Sequence, residues 1–152
     1  MFDATSTISN AENTNVGGNP AISAQAAYAL AARSEIVLID IRTQKEWCRT
    51  GIPENAHLVT LMDPRTAKGF FDAVAAELDG RLDTPVALIC RTGRRTAVAR
   101  AALLEGGFNR VLDVAEGVEG GPNGRGWLAH GLPVGDHCCC VAMGMDEDDC
   151  RC

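Results

Sequence analysis

Three short runs of β-branched and aliphatic residues, "IVLID" (36–40), "PVALI" (85–89) and "RVLDV" (110–114), alternate along this chain with stretches of helical pattern. None shows the strict apolar–polar alternation of a strand with one wet face, so each reads as a strand buried on both sides. Strands alternating with helices in this way predict an α/β domain whose parallel sheet is covered on both faces. In such a sheet the ligand site lies beyond the carboxyl ends of the strands. The segment after the middle run, "CRTGRRT" (90–96), falls at that edge.

Caps and apolar spacing mark the helices. Ser23 is placed to cap "AQAAYALAAR", with Ile22, Ala26 and Leu30 on one apolar face. Thr43 and Glu46 form a capping box that opens "QKEW", and Gly51 with Pro53 closes it. "AHLV" (56–59) reads as a weak additional strand. Asp63 and Pro64 supply an N-cap and first-turn proline for "TAKGFFDAVAAEL", where Ala67, Phe71, Val74 and Leu78 recur at helical spacing. "TAVARAALLEGG" is apolar nearly all round and ends at Gly106 or Gly107. "GVEGGPNGRG" (117–126) reads as a glycine-rich loop and "WLAHGLPV" as a last short helix with a proline stop. Residues 1–20 lack an apolar period and read as a flexible leader, residues 21–135 as the domain, and residues 136–152 as an acidic, Cys-rich, disordered tail.

Length and charge limit the function. The 152 residues, 46% of them hydrophobic, suit one domain. No run approaches the ~18 continuous apolar residues of a membrane span, and the first ten residues lack the basic start and apolar core of a secretory signal. A cytoplasmic location with reduced thiols is therefore expected. The seven cysteines are odd in number and five fall in the last fifteen residues, which does not resemble a disulfide framework. A net charge of −6 argues against a nucleic-acid footprint, which needs a broad basic surface. Five acids from Asp136 onward face only Arg151, whereas Arg91, Arg94, Arg95 and Arg100 place four of the fourteen basic residues within ten positions. A concentrated positive spot on a mildly acidic body points to a small anion as ligand.

A loop between a central strand and a helix aims its backbone N–H groups and the helix's positive end at whatever occupies the turn. Cys90 stands at the strand end of that turn, where the dipole and nearby guanidinium groups favour the nucleophilic thiolate. Gly93 lets the loop turn tightly without filling the pocket. Thr96 is placed to cap the helix and donate a hydroxyl. Arg95 is expected to bind the anion most directly, with Arg91 and Arg94 nearer the rim recruiting substrate, and Thr92 completing the substrate-binding loop. Isolated cysteines at strand ends are often inert and isolated arginines often solvate a helix start. Their conjunction at this edge is harder to explain by packing.

"CRTGRRT" resembles the active-site loop of rhodanese-type sulfurtransferases, and "VLIDIRTQKEW", "GIPENA", "GGFNRVLDVAEG" and "GWLAHGLPV" fall around it in that family's order, over residues 20–135. The resemblance implies an open, mostly parallel five-stranded sheet flanked by helices on both faces. It also implies a single-domain sulfurtransferase without cofactor or metal, in which Cys90 and Arg95 are catalytic and Arg91, Thr92, Gly93, Arg94 and Thr96 bind substrate. Cys90 would take a sulfane sulfur from a small anionic donor such as thiosulfate, hold it as a persulfide, and pass it to cyanide or a thiol. That thiol could belong to an acceptor protein. The chain departs from the family's "G-H-I-P" in having Gly51 before Ile52 and Pro53, and its glycine-rich loop is long.

Two alternatives stay open. One is a rhodanese-like module that binds an anionic partner without turnover, although such modules commonly lack the cysteine. The other is phosphatase or arsenate-reductase chemistry on the same scaffold; those loops place five residues between Cys and Arg, whereas four separate Cys90 from Arg95. Asp40 and Arg42 are expected to tie the first strand to the next helix with Glu46 as partner. His57 and His130 read as surface or edge residues, and Trp47 and Trp127 as core. Cys48 could resolve the Cys90 persulfide, though burial is the simpler reading. The tail "DHCCCVAMGMDEDDCRC" lacks Cys-x-x-Cys spacing for a preformed zinc site, but its thiols could bind a soft metal or accept sulfur from Cys90.

Overall fold

The computed structural model describes residues 20–136. The leader and tail expected from the sequence lie, but for Pro20 and Asp136, outside the described residues. Five strands form the main sheet: β1 (Ala21–Ile22), β2 (Val37–Asp40), β4 (His57–Leu58), β5 (Val86–Ile89) and β6 (Val111–Val114). Their order is β1-β6-β5-β2-β4, every pairing is parallel, and β5 is central. A separate antiparallel pair joins β3 (Ile52–Pro53) to β7 (Val134–Gly135). Helices α1 (Ala24–Ala32), α2 (Gln44–Thr50), α3 (Phe70–Glu77) and α4 (Thr96–Gly106) complete the domain. None is long and apolar enough to cross a membrane.

The strand period of two divides the core. Ile39, Leu88 and Val111 point to the face covered by α3 and α4, where Phe70, Val74, Ala99, Leu103 and Phe108 pack. Leu38, Ala87, Ile89, Leu112 and Val114 point to the other face, against Ala24, Ala27 and Leu30 of α1 and the fully buried Trp127. Removing this apolar surface from water, at ~25 cal/mol per Å², is what holds the helices onto the sheet.

Most element boundaries follow the expected signals. Ser23 accepts a hydrogen bond from the Ala26 N–H, and the Thr43–Glu46 capping box is present, with Gly51 ending α2. Two helices depart from expectation. Asp63 caps only one turn, its carboxylate accepting from the Arg65 N–H and the Thr66 hydroxyl. That turn breaks where Ala67 (φ 59°) and Gly69 (φ 79°) are left-handed, so α3 begins at Phe70, which is buried more deeply than Phe71. "WLAHGLPV" is a turn followed by β7 rather than a helix. The Trp127 indole N–H donates to the Pro133 carbonyl, and Val134 then pairs with Pro53. Strand β1 escapes the apolar pattern because two residues carry no period; Ile22 belongs to it and not to a helical face.

Candidate active site

Parallel pairing places the carboxyl ends of β2, β5 and β6 side by side, so the loops beyond them converge. Asp40 pairs with Ile89, and the Ile41 N–H donates to the Ile89 carbonyl at 3.0 Å, which fixes Cys90 one residue beyond the central strand. The loop after β6 closes from the other side. Val118 N–H donates to the Cys90 carbonyl and Glu119 N–H to the Arg91 carbonyl, both at 2.9 Å. Cys90 is thus held by backbone bonds on two flanks. It is 1% exposed, its side chain packed on the α3/α4 side of the core.

The Gly93 N–H donates to Cys90 Sγ at 3.2 Å. Gly93 has φ +93°, and a Cβ there would collide with the Ala115 carbonyl, so both the turn and its packing demand glycine. Opposite it, Gly117 (φ +74°) passes so close to the Arg91 carbonyl that it too has no room for a side chain. Thr96 does not cap α4. Arg95 is the N-cap, its side chain making no capping bond, while Thr96 is the first helical residue; its buried hydroxyl donates to the Gly93 carbonyl at 3.2 Å. The loop therefore braces itself across its own base. Burial raises the Asp113 carboxyl of β6 above its ordinary pKa, against the lowering influence of the Thr96 hydroxyl and the Arg100 charge.

The arginines divide into three environments. Arg95 grips Glu46 of α2 end-on, Nη1 to Oε2 at 3.0 Å and Nη2 to Oε1 at 2.7 Å, which leaves Nε–H and one hydrogen on each terminal nitrogen. The Glu46 hydrogen bond raises the guanidinium pKa above its ordinary value against the effect of burial, with smaller contributions from Cys90 and Asp40. Burial alone would raise the Glu46 carboxyl, but bonds from Arg95 and the Thr43 N–H outweigh it and bring its pKa from 4.5 to about 2. Arg91 is half exposed and paired with Glu119 at 3.1 Å. Arg94 is exposed and has no ion-pair partner among the described residues. Thr92 is half-buried, its backbone against Gly117 and Gly121.

Behind the site, Arg42 is fully buried. It donates through Nε and Nη2 to Asp40 and on to the Thr50 hydroxyl and the Gly51 carbonyl, tying β2 to α2. Glu46 meets Arg42 only through its backbone carbonyl, at 3.5 Å; its carboxylate belongs to Arg95. The sequence placed Glu46 beside Arg42 because both come after β2. Only the parallel register brings it to Arg95. Glu116 gave no sequence signal at all. Buried after β6, it accepts from the Ala24 and Gly126 N–H groups and contacts His130 Nε2 at 2.9 Å, joining α1 to both ends of the glycine-rich loop. His130 is therefore half-buried in this contact, while His57 is exposed and paired with Glu77. Trp47 and Cys48 are buried on α2. Among the described residues no group of three or more His, Cys, Asp or Glu is placed to hold a metal ion.

The rhodanese-like domain model matches residues 23–121. An uncharacterized protein of Rickettsia prowazekii is 31% identical over 98 residues, 63% of this chain and 80% of that protein. A sulfurtransferase of Allochromatium vinosum is 29% identical over 109 residues, covering 69% and 83% of the two chains. Among solved structures, the homodimeric polysulfide-sulfur transferase of Wolinella succinogenes superposes with a TM-score of 0.57 at 26% identity, over 88% of this chain and 90% of that one.

Proposed function

The chain belongs to the rhodanese-like domain family, and on that premise we propose that it is a sulfurtransferase that carries sulfane sulfur on Cys90 from a small anionic donor to a thiophilic acceptor. One observation supports this most directly: the Gly93 amide aims at Cys90 Sγ from within a loop that closes on the N-terminus of an eleven-residue helix. With thiosulfate, the Cys90 thiolate attacks the outer sulfur; the new S–S bond forms as the sulfur–sulfite bond breaks, and sulfite leaves with the electron pair. The product is Cys90–S–S⁻. Its outer sulfur and the departing sulfite both carry negative charge, which the helix end and the Gly93 N–H would stabilise, with the Arg95 guanidinium adding a nearby positive charge. Cyanide or a thiolate then attacks the outer sulfur and returns Cys90 as thiolate.

Several features favour a small donor. A sulfur this enclosed is reached by the tip of a slim anion rather than by a bulky group. The rim carries Arg91 and Arg94, which suits an anion. Four residues between Cys90 and Arg95 make a tighter cradle than a phosphatase loop. Polysulfide is the second candidate donor, because the Wolinella transferase, named for it, aligns over nearly the whole domain. Thiosulfate:cyanide sulfur transfer that disappears in Cys90→Ser is the expected result. Activity retained in that variant, or aryl-phosphate hydrolysis faster than sulfur transfer, would overturn the reading.

A further inference from the structure

Asp113 is a part-buried carboxyl to which the sulfur chemistry above gives no role. On β6 it comes two residues after Val111, so it points to the sheet face covered by α3 and α4. Its register partner on β5 is Leu88, and Cys90 follows Leu88 by two residues on that same face. Neighbouring strands lie ~4.8 Å apart and two residues advance ~6.6 Å, so the α-carbons of Asp113 and Cys90 are on the order of 8 Å apart. Over Asp113 runs the start of α4, whose Thr96 and Arg100 are the groups that act on its carboxyl.

These surroundings favour a neutral acid over an anion. Asp113 Oδ1 is shut off from solvent and has no hydrogen-bond partner. No Lys, Arg or His among the described residues forms an ion pair with it. Arg100 faces it from α4 but donates its Nε–H to the Val111 carbonyl at 2.8 Å. Leu88 on β5 and Ala21 on β1, the two residues in register with it, add no charge. A carboxyl taken from water without a counter-charge keeps its proton to higher pH, the direction in which burial moves this one.

Thr96 connects this carboxyl to the sulfur. Its fully buried hydroxyl carries one proton, which it donates to the Gly93 carbonyl at 3.2 Å. Gly93 in turn donates its N–H to Cys90 Sγ at 3.2 Å. A hydroxyl whose proton is engaged still accepts, so a neutral Asp113 donating its own O–H leaves the bond to Gly93 intact. An ionised Asp113 has no proton to give and, as the stronger acceptor, competes with the Gly93 carbonyl for the single Thr96 proton.

We propose that Asp113 is a positioning residue for Cys90: in its neutral form it donates to Thr96 Oγ1, which keeps the Thr96 proton on the Gly93 carbonyl and the Gly93 amide on the sulfur. Its effect on rate rests on the sulfur-transfer reading above; the coupling of Asp113 to Gly93 does not. When rising pH ionises the carboxyl, the hydroxyl turns toward it and residues 93–96 lose their brace. A negative charge then also stands beneath the loop that holds Cys90–S–S⁻. Both effects slow the reaction.

The test follows the full chain against pH by the Asp113 carboxyl-carbon and Gly93 amide resonances in NMR and by kcat for thiosulfate:cyanide sulfur transfer. Asp113→Asn identifies the carboxyl signal by its loss and offers Thr96 a neutral N–H donor of the same shape; Asp113→Ala offers none. The Gly93 amide is expected to shift with the same midpoint as the carboxyl, and kcat to fall about 2- to 10-fold across that midpoint, the worth of one hydrogen bond. Asp113→Asn is expected to lack both changes and to match the protonated wild type, whereas Asp113→Ala has the lower kcat at every pH. A Gly93 amide that stays still while Asp113 titrates overturns the brace, and so does an Asn variant that keeps the pH-dependent fall or is as slow as the Ala variant. If Asp113→Ala does not fold, the wild type and the Asn variant decide between these outcomes. Coupled resonances in a protein that transfers no sulfur support the brace and overturn the sulfurtransferase reading.

Discussion

The amide of Gly93 donates to the sulfur of Cys90 across 3.2 Å, and the same glycine's carbonyl accepts from the Thr96 hydroxyl. The Cys90 sulfur, the proposed nucleophile, and the first turn of α4 are therefore coupled through one residue. Gly93→Ala places a Cβ against the Ala115 carbonyl at a φ of +93° that L side chains rarely adopt. Strain of this kind costs ~1–3 kcal/mol, and the loop relieves it by moving the amide off the sulfur. The expected outcome is a stability loss of that size in urea denaturation together with a larger fall in kcat than in the donor's KM. A variant with wild-type kcat would show that this amide does not act on the sulfur.

Glu46 sets a pH-dependent contribution to stability. Its carboxyl is held at about 2 in the fold against 4.5 for the ordinary group. A depressed pKa contributes stability that is fully present above ~4.5 and is lost as pH falls toward 2. Both side chains keep some exposure, 11% for Glu46 and 24% for Arg95, so the pair is worth less than a fully buried one; about 1–3 kcal/mol is expected at neutral pH. Glu46→Gln is expected to lower the denaturation midpoint at pH 7 and to converge on wild type as pH drops from 4.5 to 2. Parallel curves through that range would rule the contribution out.

Much of this arrangement is legible in the sequence. "PVALI" at the centre, the Thr43–Glu46 box and the cysteine at a strand end all rest on local signals, since an apolar run, a cap and a strand end are each written in a few consecutive residues. The Glu46–Arg95 bridge is not legible there. Its partners are 49 positions apart and meet only because β2 and β5 are parallel neighbours in a fixed register. Glu116 is invisible for the same reason, since it bonds Ala24, 92 positions away. The α3 start is misread because Asp63 and Pro64 do form a capped turn; what ends it is the left-handed Ala67, a residue with no turn signature.

Arg42 is the case where charge alone does not suffice. Fully buried, it bonds Asp40 through two nitrogens and reaches Thr50 and Gly51 with the rest of its fork. Arg42→Lys keeps the charge but offers one nitrogen, leaving a buried carboxylate half-satisfied and the Gly51 carbonyl without its donor. About 3–5 kcal/mol is expected, as for breaking a buried pair, and chemical denaturation measures it. Because this side chain also holds the end of α2, the variant should loosen the β3–β7 pair, visible as faster amide exchange at Ile52. Unchanged exchange there would confine Arg42 to the β2 side.

The two rim arginines should differ, although they look equivalent in "CRTGRRT". Arg91 is neutralised in part by Glu119 at 3.1 Å, while Arg94 faces solvent with no ion-pair partner among the described residues. At ~0.01 M salt the Debye length is ~30 Å and an exposed charge attracts an incoming dianion from well outside contact; at ~0.15 M it is ~8 Å and most of that attraction is screened. Arg94→Ala is therefore expected to raise the KM for thiosulfate about 2- to 5-fold at low salt, with kcat little changed and the effect shrinking at physiological salt. Arg91→Ala combined with Glu119→Gln should do less, because removing the whole ion pair leaves the net charge of the rim unchanged, whereas Arg91→Ala alone also unmasks a carboxylate that repels the donor. Steady-state kinetics at the two ionic strengths separates the cases. Equal KM shifts for both variants, or shifts that persist undiminished in salt, would mean that these guanidinium groups contact the donor directly rather than steer it.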